Sequence, residues 1–470
     1  MEPQALAILD TQGIHDYVFS SNELAQIRGA SALLHHCTVT EWERLLQSKT
    51  FSGKRVFCGG GNAVALFDST RRAEAFCRLA ERRLRHKTVV ARAAWHVEPR
   101  RGSEEFPGGG ADSWSARAFR ALNRKKREGA GPEGSEFNPY AKFCEWCGVR
   151  TASRACQKGA TSRWTCAACA ARLGQERGAW FEKFRRSAHG HRSPAREPAD
   201  LNEIGEHARP AGYVAFVYLD VNGLGRRFAR ITSMDEYEEL SRSVAESLQE
   251  ALFGSVADAE RFEIFLCGGD EASLVLPANL AAEFAVSFLG AFDKEMAARG
   301  INDAPGVSIG MVYAHSHFPV RMAIRHTEDL LRSCKRRAQE SKERHLIDYL
   351  VVSNAIEQPI EELRKEQFVS ADERPLTSRP LNLAEFAGVR ELSGILARMP
   401  RQRAHALYDI VFGGRYQSVV DYCYWLSRLE GDSREEMRAY GKVRGMVVSP
   451  FDAKGKTPVL DAIELLEFGG

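Results

Sequence analysis

Apolar runs recur along this chain in the same order twice. ALAILD (Ala5 to Asp10) and AFVYLD (Ala215 to Asp220) each read as a buried strand that ends on an aspartate. Helical material follows each. In the second copy Leu240, Val244, Leu248 and Leu252 fall on one face. Ser233 with Glu236 there, and Thr40 with Glu43 in the first copy, have the spacing of a capping box. Next come two apolar runs split by glycines, RVFCGGGNAVALF at 55–67 and FEIFLCGGDEASLVLP at 262–277. Breaks of that kind predict β-hairpins. A further helix follows each hairpin, AEAFCRLAERRL or AEFAVSFLGAFDKEM, and then a last strand, TVVARAAWHV or GVSIGMVYAH.

From the strand-end aspartate to the first turn glycine is 49 residues in one copy (Asp10 to Gly59) and 48 in the other (Asp220 to Gly268). Shared order and interval predict an internal duplication. Strand, helices, hairpin, helix, strand is the order of a ferredoxin-like palm, an antiparallel sheet with helices on one face. The expected fold is therefore α+β, with two such palms at 1–100 and 211–354. From 355 to 470 the apolar spacing is helical, as in LNLAEFAGVRELSGILARM, and predicts a C-terminal helical domain.

Between the palms CEWC (Cys144, Cys147) and CAAC (Cys166, Cys169) are separated by eighteen residues. Two such knuckles close a tetrahedron of thiolates about Zn²⁺ with no open position, so the expected site is structural. It defines a zinc-ribbon insert at 139–186. The flanks at 101–138 and 187–210 are rich in Gly, Pro and Ser and read as linkers. The basic runs ARAFRALNRKKR and RRSAHGHRSPAR within and beside them read as solvated segments in preference to binding arms.

Composition changes this picture little. The 470 residues are 44% hydrophobic and 27% charged with a formal charge of +3, which fits several globular domains and gives no global nucleic-acid signature. Eleven cysteines over so long a chain argue against a disulfide framework. The N-terminus lacks a signal peptide's pattern and no apolar run is long enough to span a bilayer, so a cytoplasmic location and no membrane partner are expected.

The chemistry is expected at the second hairpin. In a palm sheet the first strand's end and the hairpin turn lie side by side, which brings Asp220 to Asp270. Two carboxylates held together repel unless one is protonated or a cation bridges them. Oxygen ligands suit Mg²⁺ or Mn²⁺, and two ions would serve attacking and leaving oxygens of a phosphoryl transfer. The turn Asn222, Gly223, Leu224, Gly225 after Asp220 lets backbone N–H groups approach phosphates. A solvated hairpin tip is the alternative for GGDE on its own. In the first copy Gly61 and Asn62 stand where the acids would be, so that palm is expected to be non-catalytic.

In this combination the chain resembles the large subunit of type III CRISPR effector complexes, the CRISPR polymerase. The resemblance rests on DTQGIHDYVFSSNELAQIRGASALL and GGGN, the four cysteines, DVNGLG with GGDE, and the helical C-terminus. Active members of that family join ATP into cyclic oligoadenylate messengers when the complex holds target RNA. The resemblance implies Asp220, Val221 and Asp270 as metal ligands for two Mg²⁺ or Mn²⁺ ions and Asp220, Asp270 and Glu271 as catalytic residues. It implies nucleotide contacts at Asn222 to Gly225, Gly268, Gly269 and Lys335, and a bed for the second nucleotide at Gly59, Gly60, Gly61 and Asn62. Lys335 also reads as one basic residue among several on a solvated helix face. ATP, guide and target RNA and smaller subunits are the implied partners.

Two departures stand out. The family's usual turn is GGDD, and Glu271 lengthens the last acid by a methylene; Ala272 replaces the Phe of the related diguanylate cyclase motif. Many members begin with an HD nuclease domain, whereas only Asp10 and no further His stand ahead of His15 and Asp16, too few ligands for a metal-dependent HD site, so no DNase activity is expected. A scaffold subunit that binds nucleotide and RNA without turnover is the second reading, and a GTP-using diguanylate cyclase a distant third.

Overall fold

The structure, a computed structural model, describes residues 2–108, 110, 112–128, 140–158, 161–175, 179–352 and 358–468. The first palm runs β1 (Ala5–Gln12), α1 (Ile14–Val18), α2 (Leu24–His35), α3 (Trp42–Gln47), β2 (Lys54–Gly59), β3 (Asn62–Phe67), α4 (Thr70–Thr88) and β4 (Arg92–Pro99). Its sheet order is β2-β3-β1-β4, the ferredoxin-like order. After it come α5 (Trp114–Glu128), then the four-cysteine module with β5 (Arg154–Lys158), β6 (Thr161–Thr165) and α6 (Ala167–Arg172), and three connecting helices, α7 (Ala179–Arg186), α8 (Ala188–Arg192) and α9 (Leu201–Glu206).

The second palm repeats the frame with β7 (Tyr213–Val221), α10 (Leu224–Phe228), α11 (Met234–Ser255), β8 (Glu263–Gly268), β9 (Glu271–Pro277), α12 (Ala281–Ala298) and β10 (Val307–His315). It then adds α13 (Val320–Ser341) and a fifth strand, β11 (Leu346–Val351), parallel to β10. Sheet order is β11-β10-β7-β9-β8. The C-terminal region from α14 (Ile360–Gln367) through α15 (Leu383–Ala397), α16 (Arg401–Phe412), α17 (Arg415–Ser427), α18 (Gly431–Arg444) and α19 (Val459–Leu465) is helical. Among the described residues no helix is long and apolar enough to cross a membrane.

Three local expectations are corrected. Ser233 precedes α11 but its side chain makes no capping bond, and Thr40 lies inside a π-helical stretch, His36–Glu41, that joins α2 to α3 without a break. The segment read as a linker at 101–138 contains α5. Its Trp114, Ala118 and Leu122, four residues apart, are buried with Leu6, Ile8 and Val64 of the first sheet. A stripe at that spacing is a packing face; of the basic residues around it Arg120, Arg124, Lys125 and Arg127 are exposed, whereas Arg117 is buried and paired with Glu98 and Glu104. Residues 109, 111 and 129–138 of that segment lie outside the described residues. At 187–210 Leu201 and Ile204 of α9 are likewise buried, against β7 and β9.

The palms pack through both apolar surface and a buried ion pair. Phe19 meets Phe265 edge to face at 5.3 Å between ring centres. Arg28 of α2 donates from Nε to Glu263 Oε2 of β8 at 2.7 Å and from Nη2 to the Pro198 carbonyl at 2.6 Å. Burial pushes the Glu263 carboxyl up to about 7, against the pull of Arg28. Removing one partner of such a pair strands the other. Arg28→Met should therefore destabilise the protein by about 3 kcal/mol, measured by denaturant unfolding, while adding Glu263→Gln should restore most of the loss.

Candidate active site and zinc centre

The duplicated hairpins face each other. In the second, Gly268 pairs with Glu271, leaving Gly269 and Asp270 as the two-residue turn, with Gly269 at φ +65°. In the first, Gly59 pairs with Asn62 around Gly60 and Gly61, both at positive φ. Only glycine adopts such angles without strain, and here the requirement is compounded by proximity. A Cβ on Gly60 would stand 3.0 Å from the Gly268 carbonyl oxygen.

Register carries the equivalence into the strands. Asp10 lies opposite Asn62, and Asp220 opposite Glu271. The Val221 N–H donates to the Asp270 carbonyl at 2.9 Å, so strand end and turn are stitched together as expected. A cavity of about 660 Å³ opens where the two turns meet. Asp220, Gly269, Asp270 and Glu271 line it from the second palm, with Leu224 and Gly225 of the following turn. Asp10, Gly60 and Asn62 line it from the first.

Other predicted residues sit outside its lining. Asn222 is committed elsewhere: its Oδ1 accepts from Ser308 Oγ at 2.8 Å and its Nδ2 donates to the Arg344 carbonyl at 3.2 Å. Gly223 is the left-handed residue (φ +72°) that opens α10. Gly61 and Gly268 line a smaller recess behind the turns, with Gly59 in β2 beside it. Lys335 of α13 reaches Asp220, Nζ to Oδ2 at 2.9 Å, which separates it from the other basic residues on that helix.

Glu271 and Asp220 each have a side-chain partner. The Tyr218 hydroxyl donates to Glu271 Oε2 at 2.5 Å. Burial raises the Asp270 carboxyl to about 6, with help from the charges of Asp220 and Glu271. Burial also raises Asp220, while Lys335 pulls it back. An acid made this reluctant to ionise by neighbouring acids is what a divalent cation would relieve. The donor set of Asp220, Asp270 and the Val221 backbone is all oxygen, which fits Mg²⁺ or Mn²⁺.

Several residues at the site lie outside the set that the sequence assigns to it. His15 of α1 forms an ion pair with Glu328 of α13 and packs edge-on to Tyr218 at 4.9 Å, bridging the two palms beside Glu271. Its pKa is depressed by burial but raised further by Glu328 and Glu271. Asp16 lies 3.6 Å from Arg321. The α5 residues Phe119, Leu122 and Asn123 line the cavity, and the aromatic rings of Phe57, Phe228 and Tyr237 complete its wall. For the α5 residues the sequence signal is the helical spacing within the basic run.

The sulfurs of Cys144, Cys147, Cys166 and Cys169 all lie within 4.8 Å of one another, a donor set that fits tetrahedral Zn²⁺. Cys156 stands apart from this group, on β5. The module docks on the first palm. Arg172, fully buried over the Tyr17 ring, donates to the Tyr17 carbonyl at 2.7 Å, and Ser21 Oγ donates to the Trp146 carbonyl at 2.8 Å.

A family profile described as Cas10/Cmr2, second palm domain, matches residues 213–345. No curated protein matches the chain. Among solved structures, the chain is similar to a Csm1–Csm4 cassette in complex with pppApA, at a TM-score of 0.57 and 15% identity over 99% of this chain and 69% of that one. A Csm1–Csm4 cassette in complex with cA3 gives 0.55 and 13% over the same shares. Csm1 from T. onnurineus gives 0.53 and 15%, again over 99% and 69%. At these identities the structural similarity establishes a shared fold.

Two outcomes follow from the site. Asp270→Asn should raise the thermal midpoint of the metal-free protein above pH 6, because the folded state there carries a carboxylate whose ionisation it disfavours. The unfolded acid titrates near its ordinary value, so wild type loses stability as pH rises from about 4 to about 6. The gain should vanish below pH 4, as melting curves across pH will show. Cys166→Ser, or a strong chelator, should release zinc and unseat Arg172 from α1, read as faster amide exchange over residues 14–35 with the second palm unchanged.

Proposed function

From the match of residues 213–345 to the Cas10/Cmr2 second palm domain profile, we propose that this chain is a metal-dependent nucleotidyltransferase that makes cyclic oligonucleotides, most specifically cyclic oligoadenylate from ATP. The observation that carries the proposal is the single cavity shared by Asp220, Asp270 and Glu271 of one palm and Gly60 and Asn62 of the other. A cavity of about 660 Å³ at the junction of two copies suits two nucleotides held with their reacting ends together. That one structurally similar Csm1–Csm4 cassette holds pppApA and another cA3 supports the same chemistry.

Asp220, Val221 and Asp270 would hold two Mg²⁺ or Mn²⁺ ions, which when bound supply positive charge at the attacking and leaving oxygens. The chain's own side chains arrange the rest. The 3′-hydroxyl oxygen of the acceptor nucleotide bonds to the α-phosphorus of the donor, and the bond from that phosphorus to the bridging oxygen breaks, releasing pyrophosphate. Lys335, already drawn into the site by Asp220, offers its ammonium to the donor's triphosphate. The glycine turn lets that phosphate chain approach the backbone. Tyr218 fixes the orientation of Glu271, whose longer side chain keeps a carboxylate beside the acceptor hydroxyl. Aromatic walls at Phe57, Phe228 and Tyr237 suit stacked bases.

The protein works in this reading as the large subunit of a type III effector complex, with guide and target RNA as activator and smaller subunits as partners. Its resemblance in fold to Csm1 bound to Csm4 supports that assembly. Incubating the purified complex with ATP, Mg²⁺ and target RNA should yield cyclic oligoadenylate by mass spectrometry, and Asp270→Ala should lower the yield by about a thousandfold or more. A native complex that carries guide RNA yet makes no phosphodiester product from any nucleoside triphosphate would leave a scaffold in place of the enzyme.

A further inference from the structure

The duplication extends beyond the hairpins to a charge pair. In the second palm Lys335 of α13 reaches Asp220. In the first, Lys126 of α5 reaches Asp10 Oδ2, at the same point of the repeat. The two helices follow the fourth strand of their sheets and pack on the same face of them. Asp10 shares its strand face with Leu6 and Ile8, which α5 covers, as Asp220 shares its own with Tyr218 beside α13. The segment that reads as a linker is thus the first palm's version of α13.

The surroundings differ in one respect that matters. Gly61 and Asn62 replace the acids at the first turn, and among the described residues lining the cavity from the first palm Asp10 is the one carboxylate. A lone carboxylate is a poor ligand set for two divalent ions. An ammonium already sits on it. An ammonium has three N–H donors, and the bond to Asp10 uses one. The acids of the second palm line the opposite side of the same cavity, so a triphosphate entering this half needs a cation of its own.

We propose that the first palm holds the triphosphate of the second nucleotide without a metal, with Lys126 supplying the positive charge that divalent ions supply in the second palm. The proposal rests on the reading of the shared cavity as a nucleotide site. One helix face serves both ends of the ligand. Phe119, Asn123 and Lys126 stand at positions i, i+4 and i+7 of α5, and the first two line the cavity. Phe119 presents a ring for stacking, and Asn123 presents an amide able to donate to and accept from an adenine edge. The Gly60 turn, kept bare of side chains by its contact with Gly268, leaves the backbone accessible between them.

Binding of a nonhydrolysable ATP analogue to the full chain, measured by equilibrium dialysis without turnover, separates this proposal from the enzymatic one. With Mg²⁺ two equivalents should bind; with Mg²⁺ left out and no chelator added, so that the cysteine site is undisturbed, one should remain. Lys126→Ala should weaken this Mg²⁺-independent equivalent by about tenfold or more, the worth of a charge-assisted contact, and Lys126→Arg should largely keep it. Asp270→Ala should remove only the Mg²⁺-dependent equivalent. Should Lys126→Ala fold poorly, Asp10→Asn provides the second measurement, since it frees the ammonium and should tighten Mg²⁺-independent binding several-fold. A surface ion pair with a structural role alone would move none of these values. Wild-type protein that binds no analogue without Mg²⁺ while binding one with it, or Lys126→Ala that binds as wild type does, overturns the metal-free site and leaves the catalytic palm standing.

Discussion

Everything at this site depends on two backbones touching. Gly60 and Gly268 approach so closely that a Cβ on the latter would stand 3.2 Å from the Gly60 nitrogen. Each turn therefore sacrifices its side chains to admit the other, and the side chains that remain, Asp270 and Glu271 on one and Asn62 on the other, are directed to a common space. The contact is held from a distance. Arg28 with Glu263, Ser31 with the Phe265 carbonyl and the Phe19–Phe265 contact clamp α2 of the first palm onto β8 of the second. Because β8 runs directly into the Gly268 turn, tightening that clamp tightens the site.

Electrostatics then separates the halves. On the second palm three acids face one cavity, and burial with mutual repulsion keeps Asp270 hard to ionise. Lys335 and the Tyr218 hydroxyl take up the charge of Asp220 and Glu271. On the first palm the same frame carries a single aspartate neutralised by a single lysine. The same frame thus presents unlike halves to one cavity, three acids from the second palm and an ion-paired aspartate from the first. His15, joined to Glu328 and packed on Tyr218, ties the orientation of Glu271 to the position of the first palm.

The elements outside the palms act as supports. The four-cysteine module seats Arg172 under α1 and holds the helix that carries His15, and Gly29 is bare where a Cβ would strike the Arg172 carbonyl at 2.4 Å. The helical C-terminal region shares one apolar core with the α11 and α12 face of the second sheet, which stiffens the sheet from the side away from the first palm.

Much of this was legible in the residues alone. The repeated strand, hairpin, helix and strand patterns, the matching intervals from Asp10 and Asp220 to their glycines, and the paired CxxC knuckles are short-range features, encoded by period and spacing, and they carried the two palms, the zinc cluster and the pairing of Asp220 with the GGDE turn. The rest needed the fold. Lys126 is one basic residue in a basic run until α5 lies on its sheet and brings it to Asp10. Asn222 looks like a phosphate-turn residue until Ser308 and Arg344 claim its amide. Tyr218, His15 and Glu328 are far apart in sequence and meet only because β7, α1 and α13 converge. Sequence pattern determined which segments form strands, turns and helices, since those obey local periodicity. Which side chains share a charge or a cavity was decided by tertiary packing, because Coulomb and hydrogen-bond partners are chosen by distance in space.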